Sequence, residues 1–362
     1  MNSFLVLGGY GEMGRITVHD LFETTRDRII VAGHDFKKAR EFTQSFKSKR
    51  VQSAAIDVTK TKLLAALIKK CDVVINATQY TYNLHVMKAA LLAKKPYIDL
   101  GGLFHMTKKQ LKLHSLFKKN RLTAVIGCGS TPGITNILAA YGAYKFDTID
   151  EIHIRFADHD FTKSSSHFTL PYSLATIFDE FTKPAAVFSK GKIKFVAAMT
   201  GREEETFPRP IGKVSEFYTL HSELATFPDS FKNKKLKECD FKVSFPENFI
   251  RHVKRLIALG VTKAKNPPEA KKPIRDIEYV RVRMTGKRKG KRVRLVLDVI
   301  SKSKPKWNAS AGAYDTGVPP SIIAQMIVQW KIPHIGVFPP ERCIDPAVFF
   351  YELKRRGIKI RL

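Results

Sequence analysis

The chain of 362 residues has few cysteines and no long apolar run. None of its cysteines forms a C-x-x-C pair, which argues against a zinc site or a disulfide framework and is typical of a reducing compartment; they are Cys71, Cys128, Cys239 and Cys343. No apolar run approaches the roughly 20 residues that cross a bilayer. The first apolar stretch has no basic region before it and no small-residue cleavage site. We therefore expect no secretory signal, no membrane association and a cytoplasmic location.

Acidic residues are also scarce, because 33 Asp and Glu face 63 Lys and Arg and leave a net charge of +30. Such an excess attracts nucleic acid, anionic membranes or anionic small molecules. The basic clusters are spread along the chain, at 47–50, 232–237, 263–272 and 281–294. No motif of a known nucleic-acid-binding fold accompanies them. We therefore predict solvated basic faces rather than specific nucleic-acid binding.

Strand and helix patterns alternate from residue 1 to about 145. Short β-rich apolar runs predict six buried strands, at 4–7, 29–32, 51–56, 73–75, 97–100 and 123–126. Helical patterns occupy 13–22, 37–46, 62–69, 84–93, 108–119 and 134–144. Strict alternation indicates a parallel sheet covered by helices on both faces, because right-handed crossovers place the helices there.

The middle of the chain has a different pattern. Strands are predicted at 151–157 and 192–198, helices at 174–181 and 247–259, an exposed loop at 263–272, and a hairpin from 277–284 to 292–300 around the turn TGKRKGK. Pro319 and Pro320 are predicted in the first turn of a helix that ends near Gln329, and Asp345 is predicted to cap a helix that stops at Gly357. We therefore expect one domain from 1–130 completed by 316–362, and an inserted α+β domain with a mixed or antiparallel sheet at 131–315.

Glycines recur where the first strand turns into the first helix, in the order Gly9, Tyr10, Gly11, Glu12, Met13, Gly14. In that setting the first glycine makes the tight turn, the second admits a pyrophosphate to the backbone, and the third lets the helix pack on the strand. Phosphates then lie at the positive end of the helix. The fold class is therefore α/β, with a doubly wound Rossmann sheet that binds a dinucleotide through these six residues.

The end of the second strand decides between NAD and NADP, because NAD proteins place an acidic residue there to hold the ribose hydroxyls. Here that position is Gly33, which leaves room for a 2′-phosphate next to His34 and to Lys37 or Arg40. Asp35 would become the ribose ligand if the register were shifted, and this would favour NAD. We favour NADP, with NAD as the alternative. Two residues after the third strand complete the predicted cofactor contacts, Asp57 and Val58.

Several stretches in family order resemble the saccharopine dehydrogenase family: VLGGYGEMGR, DVVINAT, YNLHVMKAAL, YIDLGG, GCGSTPGITNILAAYGA, YTLHSELATFP, DTGVPPSIIAQMI and GVFPPERCIDPAVFFYELKRRGI. The resemblance implies hydride transfer between a nicotinamide and the carbon of an imine or secondary amine derived from an amino acid. Formation of saccharopine in lysine metabolism is the type reaction, and lysine 6-dehydrogenases and carboxynorspermidine dehydrogenases are alternatives. It also implies a substrate-binding middle domain that pairs subunits in a homodimer.

Polar or thiol side chains fall at the carboxyl ends of the fourth, fifth and sixth strands, as Asn76, Asp99 and Cys128. Ligands bind at this edge of an open parallel sheet, so we expect the three to line one cleft. Asn76, Ala77 and Thr78 would lie under the nicotinamide, although Asn76 also suits a turn. Asp99 would orient a substrate amine or cap the next helix. Close backbone approach is expected from the glycines that follow it, Gly101 and Gly102.

Cys128 lies in the loop GCGSTPG, which opens a helix. Helix amides would favour a substrate carboxylate and lower the pKa of the thiol, but a buried inert thiol is the alternative. The resemblance makes Thr131 and Pro132 neighbours of the substrate and Gly133 a neighbour of the cofactor. In the family this loop usually has an acidic or small residue and then aspartate or alanine before Pro-Gly. Thr131 replaces that aspartate or alanine here, which argues against a carboxylate role.

His221 is the candidate proton donor or acceptor, since histidine titrates near neutrality and lies in the family-like TLHSELATFP, with Ser222 as a substrate contact. A structural histidine is the alternative. Arg202 and Arg209 would hold substrate carboxylates or form surface ion pairs. No nucleophile triad and no metal-ligand cluster appears, and imine reduction needs neither, because the cofactor carries the chemistry. A non-catalytic dinucleotide-binding protein is the competing interpretation.

Overall fold

The computed structural model describes residues 1–161, 174–261 and 275–362, so the loop predicted at 263–272 lies outside the described residues. Its strands are β1 (Ser3–Leu7), β2 (Arg28–Gly33), β3 (Val51–Ala55), β4 (Val73–Asn76), β5 (Tyr97–Asp99), β6 (Thr123–Val125), β7 (Thr148–Asp160), β8 (Ala185–Ser189), β9 (Lys192–Val196), β10 (Glu203–Thr206), β11 (Lys213–Tyr218), β12 (Glu238–Ser244), β13 (Asp276–Arg288), β14 (Lys291–Lys302), β15 (Gly336–Phe338) and β16 (Lys359–Arg361).

Its α-helices are α1 (Glu12–Thr24), α2 (Phe36–Gln44), α3 (Thr61–Ile68), α4 (Asn83–Ala93), α5 (Leu103–Leu111), α6 (His114–Lys119), α7 (Ile134–Ala143), α8 (Leu174–Thr182), α9 (Phe227–Ser230), α10 (Glu247–Ala258), α11 (Ala311–Val328) and α12 (Pro346–Arg355). Within the described ranges, no helix combines the length and the apolar composition needed to span a membrane. Two compact units are formed, Met1–Ile137 with Asp315–Arg355, and Leu138–Tyr314 with Arg356–Leu362.

The first unit is built on a seven-stranded parallel sheet with the order β15-β6-β5-β4-β1-β2-β3. This is the doubly wound Rossmann order, and it reverses between β1 and β4, where such folds bind their ligands. The apolar residues of β1 are fully buried, as expected for a central strand covered on both faces. The predicted sheet is confirmed, with one strand missed, because β15 lies far beyond the alternating segment 1–145 and joins the sheet by pairing with β6.

Two helix predictions for this part of the chain are wrong. The single helix predicted at 108–119 is two helices, α5 and α6. Helix α11 begins well before Pro319 and Pro320, which lie inside it. It can start early because Ser310 Oγ accepts the Ala313 N–H at 3.1 Å and an Asp276 carboxylate oxygen accepts the Ala311 N–H at 2.9 Å, so side chains satisfy its free first-turn donors. The capping of α12 by Asp345 is confirmed.

The second unit is built on a nine-stranded mixed sheet with the order β10-β11-β12-β7-β13-β14-β16, and β8 pairs with β12 and β9. Only the β12–β7 pair is parallel among the pairs of this sheet that the structure describes. The predicted hairpin is confirmed but is tighter, since β13 and β14 pair until Arg288 faces Lys291. Its turn is Lys289 and Gly290, both at positive φ, which suits the twist of the strands.

The last residues of the chain do not belong to the first unit, although 316–362 was expected to complete the first domain. Strand β16 pairs antiparallel with β14, with Ile360 facing Val299. Its backbone groups extend the edge of the second sheet, so Arg356–Leu362 belongs to the second unit. The start of the inserted region differs too, because 131–137 belongs to the first unit.

Charged side chains crowd one face of the second sheet. Arg155 of β7 is almost fully buried and contacts Glu203 of β10 at 2.9 Å, Glu216 of β11 at 3.2 Å and Asp240 of β12. Arg281 and Arg283 of β13 bind Glu205, also of β10. Side chains alternate along a strand, so Phe241 faces away from its neighbours Asp240 and Lys242. One face of β12 therefore carries charge and the other carries apolar residues.

Candidate active site

The glycine turn is shaped by close backbone packing. Helix α1 begins at Glu12 and no side chain caps its first turn. A methyl group on Gly9 would lie 2.9 Å from the Val6 carbonyl oxygen, and one on Gly14 would overlap the Gly8 carbonyl. These residues fit a dinucleotide, since a glycine-rich turn leads into helix N–H groups that favour phosphate oxygens. In this fold Gly9, Gly11 and Gly14 are the residues that would hold the pyrophosphate.

The other predicted cofactor contacts lie at the ends of β2 and β3. Gly33 is the last residue of β2 and His34 after it is exposed. The Asp35 carboxylate caps α2 by accepting the Lys38 N–H at 3.0 Å. Asp57 is exposed and accepts hydrogen bonds from the hydroxyl and the N–H of Thr59, which lower its pKa. Next to it, the Val58 side chain is buried.

Asn76 ends β4 inside a buried hydrogen-bond network. Its Nδ2 donates to Asn83 Oδ1 at 2.9 Å, and its Oδ1 accepts the Thr78 hydroxyl at 2.6 Å. The Ala77 carbonyl oxygen would lie 2.7 Å from a methyl group on Gly8, so the loop after β4 packs on the glycine turn. Asn76 is therefore a turn-stabilising residue within a segment that borders the dinucleotide turn.

Asp99 ends β5 and is completely buried. Its Oδ1 accepts the N–H groups of Gly101 at 2.9 Å and Gly127 at 2.8 Å, and its Oδ2 accepts from the Tyr97 hydroxyl and the Gln110 amide. Burial raises the pKa of Asp99, and these four hydrogen bonds oppose the increase. Asp99 does not cap α5, so that expectation is wrong.

Strained backbone follows Asp99. Gly101 has φ +134°, Gly102 is the N-cap of α5, and Leu103 lies at φ +52°. Positive φ is uncommon outside glycine and clusters at functional sites. The Pro132 ring packs here, since its Cγ would lie 3.0 Å from a methyl group on Gly101 and 3.1 Å from one on Gly127. The loops after β5 and β6 are therefore brought together.

The loop after β6 holds Cys128 and Gly133. The Cys128 thiol is fully buried and lies 3.4 Å from the Val125 carbonyl oxygen. Burial, with a contribution from the charge of Asp99, raises the pKa of this thiol well above its ordinary value. The pKa is therefore raised and not lowered as expected, and burial favours the inert alternative, because apolar surroundings disfavour the thiolate. Gly133, at φ +134°, packs so closely on Gly129 that a side chain would overlap the Gly129 backbone.

His221 belongs to the second unit and is buried. Its Nδ1 lies 2.5 Å from Glu223 Oε2, and its ring stacks on Phe241 with centroids 3.8 Å apart and planes 13° apart. Burial alone would lower the pKa of His221, but the Glu223 carboxylate outweighs it, with help from Glu180, so the pKa is raised. A histidine held by a carboxylate in this way can store and release a proton near neutral pH.

The remaining candidates of the second unit lie apart along the chain. Ser222 is buried and its Oγ has no hydrogen-bond partner among the residues that the structure describes. Arg202 is exposed just before β10 and its Nε donates to Ser215 Oγ at 3.1 Å. Arg209 is exposed in the connection between β10 and β11. The four residues of β10 therefore lie between Arg202 and Arg209. The two guanidinium groups do not form a shared binding site for one carboxylate.

Three polar residues at the first sheet were missed by the sequence analysis: Tyr97, Asn83 and Gln110. Asn83 Nδ2 donates to the Gly101 carbonyl at 3.1 Å, and Gln110 Nε2 donates to Asp99. Tyr97 is inside an apolar strand, and the two amides are on α4 and α5. The sequence carried one signal for these residues, namely a polar residue on the face of an element that is otherwise apolar and buried. Such a residue must find hydrogen-bond partners inside the fold.

Comparison with known proteins agrees with this geometry. A model of the saccharopine dehydrogenase NADP binding domain matches residues 4–125, and a model of the saccharopine dehydrogenase C-terminal domain matches residues 129–358. The chain is 24% identical to carboxyaminopropylagmatine dehydrogenase of Synechocystis sp., over 98% of this chain and 96% of that protein. It is 24% identical to carboxynorspermidine synthase of Vibrio cholerae, over 70% of this chain and 65% of that protein.

The fold is shared with a solved structure. Saccharopine dehydrogenase (L-Glu forming) from Saccharomyces cerevisiae superposes with a TM-score of 0.78 and 16% sequence identity, covering 100% of this chain and 99% of that one. At this identity the likeness concerns the fold, and the two family models carry the assignment. The chain therefore belongs to the saccharopine dehydrogenase family and is an oxidoreductase with an NADP-binding Rossmann domain.

Proposed function

We propose that the protein uses NADPH to reduce the imine formed between an amine and an amino-acid-derived aldehyde, and that its product is a carboxylated derivative of a polyamine or of agmatine. The observation that carries the proposal is the similarity to carboxyaminopropylagmatine dehydrogenase over 98% of this chain. The similarity to carboxynorspermidine synthase supports the same class of product.

The chemistry requires a hydride and a proton. When bound, NADPH supplies the hydride that converts the C=N bond into CH–NH. His221 supplies the proton to the nitrogen in our proposal. Its Nδ1 is held by Glu223, which leaves Nε2 as the nitrogen that exchanges a proton with the substrate. A raised pKa keeps more of the imidazole protonated at neutral pH, which suits the reductive direction.

The first unit contributes position rather than proton transfer in this proposal. Asp99 is enclosed by four donors, so we assign it the role of holding the loops at Gly101 and Gly127. Thr131 and Pro132 shape the adjoining loop beside the reacting carbon. Arg202 or Arg209, acting singly, would bind a substrate carboxylate, because a guanidinium matches a carboxylate in two hydrogen bonds.

The test of the substrate class uses the oxidative direction, in which each amine is offered separately. Purified protein is incubated with NADP and with carboxynorspermidine, carboxyaminopropylagmatine, saccharopine or lysine, and reduced nicotinamide is followed by absorbance. We expect turnover with at least one of the first two compounds. Turnover with saccharopine or lysine alone would place the protein in lysine metabolism and refute the proposed product.

His221→Asn tests the proton donor. We expect kcat to fall about 10²–10⁴-fold, the usual contribution of general acid catalysis, with NADPH binding unchanged. His252→Asn is the matched control, because His252 is an exposed histidine on α10. Equal activity of the two variants would remove His221 from the mechanism.

We also propose that the protein acts in the cytoplasm as a homodimer paired through the second unit. The resemblance of the middle segment to the family supports the pairing, and the composition supports the compartment. Sedimentation of the purified protein would test the assembly, and a monomeric mass at all concentrations would refute it.

A further inference from the structure

Tyr10 covers the end of the second strand. A methyl group on Gly33 would lie 2.5 Å from the Tyr10 hydroxyl oxygen and 2.6 Å from a carbon of its ring. The same hydroxyl accepts the Asp35 N–H at 3.0 Å. Tyr10 therefore packs on the one residue of β2 that has no side chain and holds the backbone two residues further on.

The neighbouring carboxylate is committed elsewhere. Asp35 caps α2 through the Lys38 N–H at 3.0 Å, and its other oxygen lies 3.9 Å from Lys38 Nζ. Because the Tyr10 hydroxyl holds the Asp35 backbone N–H, the Asp35 side chain is oriented toward the first turn of α2. The end of β2 thus has no carboxylate at position 33, and the carboxylate at position 35 is used to cap α2.

A ribose that carries free hydroxyls is normally held by a carboxylate at this end of β2, whereas a ribose 2′-phosphate needs basic groups. His34 follows Gly33 and is exposed, and Lys37 and Arg40 of α2 are exposed beyond it. Basic side chains form strong charge-assisted hydrogen bonds with phosphate oxygens. The chemistry displayed at this strand end therefore fits the 2′-phosphate of NADP.

We propose that Tyr10 is a specificity-determining residue, whose ring excludes the ribose-binding carboxylate from position 33 and whose hydroxyl holds the loop that presents His34 to the 2′-phosphate. The proposal concerns cofactor choice and rests on dinucleotide binding at the glycine turn. It does not depend on which amine is reduced. We expect a single Gly33→Asp change to leave the preference for NADP in place, because its side chain needs the space that the Tyr10 ring occupies.

The test compares four variants by binding alone: Gly33→Asp, Tyr10→Ala, Tyr10→Ala with Gly33→Asp, and Tyr10→Phe. NADPH and NADH are titrated by nucleotide fluorescence, and 2′,5′-ADP and ADP are compared by their effect on the unfolding temperature. We expect the wild type to bind NADPH at least about tenfold more tightly than NADH. The double variant should lower that ratio at least about tenfold, and Gly33→Asp alone should not raise NADH affinity.

Tyr10→Phe separates the ring from the hydroxyl. We expect it to keep the exclusion of Asp at position 33 but to weaken 2′,5′-ADP binding severalfold, since the Asp35 N–H loses its acceptor. If Gly33→Asp lowers the unfolding temperature, recovery of that temperature by adding Tyr10→Ala supports the contact. Gly33→Asp switching the ratio as far as the double variant does, or a double variant with the wild-type ratio, would overturn the proposal.

No titration in this series contains an amine substrate. A failure of the cofactor proposal therefore appears in the NADPH to NADH affinity ratios of the variants. A failure of the proposed reaction appears as absent turnover with intact NADPH binding.

Discussion

The two sheets bury charge in different ways. In the first unit, Asp99 is surrounded by neutral donors, and burial raises its pKa. In the second, Asp240 lies against Arg155 and His153, which outweigh the effect of burial and hold the pKa of Asp240 below its ordinary value. A lone carboxylate held by neutral groups keeps adjacent loops in place, whereas an ion-pair network joins strands. This difference shows that burial of an acidic side chain does not by itself identify a catalytic group.

The second network is not uniform. Glu203 has its pKa lowered to about 2, because Lys242, Arg155 and Arg283 overcome the effect of its burial. Burial raises the pKa of Glu216 to about 8, although Arg155 contacts it. Arg155 is shared by these acids, so replacing it should lower the free energy of unfolding more than any other change proposed below.

Arg155→Met should lower the free energy of unfolding by about 3–5 kcal/mol, because it leaves buried acids without their counter-ion. Asp240 has a lowered pKa, so its contribution is present above its ordinary value of 3.8 and is lost as pH falls through the lower folded value. The deficit of the variant should thus shrink in acid. Denaturant titration at several pH values measures it.

Lys237→Ala is the control for that variant. Lys237 is exposed and its ion pair with Asp150 lies on the surface, so we expect a change of about 0–1 kcal/mol. A deficit for Arg155→Met no larger than that of Lys237→Ala would show that the network adds no more than a surface pair.

Asp99→Asn should cost about 1–3 kcal/mol, since the new amide would face the donors of Tyr97 and Gln110 and leave buried groups unsatisfied. We also expect weaker NADPH binding, because the loops at Gly101 and Gly127 lose part of their support. Chemical denaturation and nucleotide titration measure the two effects. Tyr97→Phe removes one donor only and should cost less than the asparagine variant, and the reverse order would contradict the four-donor description.

Glu223→Gln should have the smallest effect on stability of the three site variants, because the amide oxygen can still accept a hydrogen bond from His221 Nδ1, while the charge that raises the His221 pKa is lost. The His221 pKa is raised in the folded protein, so its contribution is present below the ordinary value of 6.5 and is lost as pH rises through the folded value. The variant should therefore differ most from the wild type in mild acid. Its activity in imine reduction should also begin to fall at lower pH.

Glu247→Gln on α10 is the matched control, because Glu247 is an exposed acid on a surface helix. We expect its pH profile of activity and stability to follow that of the wild type. An unshifted profile in Glu223→Gln would mean that Glu223 does not set the protonation of His221.

Much of the first unit was predictable because its signals are local. The run Phe4 to Leu7 followed by glycines at 9, 11 and 14 predicts a strand, a tight turn and a helix without reference to distant residues. Helix α11 was less predictable, since its start depends on Asp276, which lies 35 residues earlier in the chain. Pro319 and Pro320 locally indicate the first turn of a helix. The helix instead begins eight residues earlier than Pro319, where the Asp276 carboxylate accepts the Ala311 N–H.

The sequence by itself determined the doubly wound sheet, the glycine turn, the β13–β14 hairpin and the family, because periodicity and turn residues act over short distances along the chain. Only the tertiary structure decided that Asp99 is enclosed by Tyr97 and Gln110, that the Cys128 thiol is buried, and that Tyr10 occupies the space above Gly33. The physical reason is that burial, donor geometry and contact arise only when the fold brings separate elements together, and these set the pKa and the accessibility of a side chain.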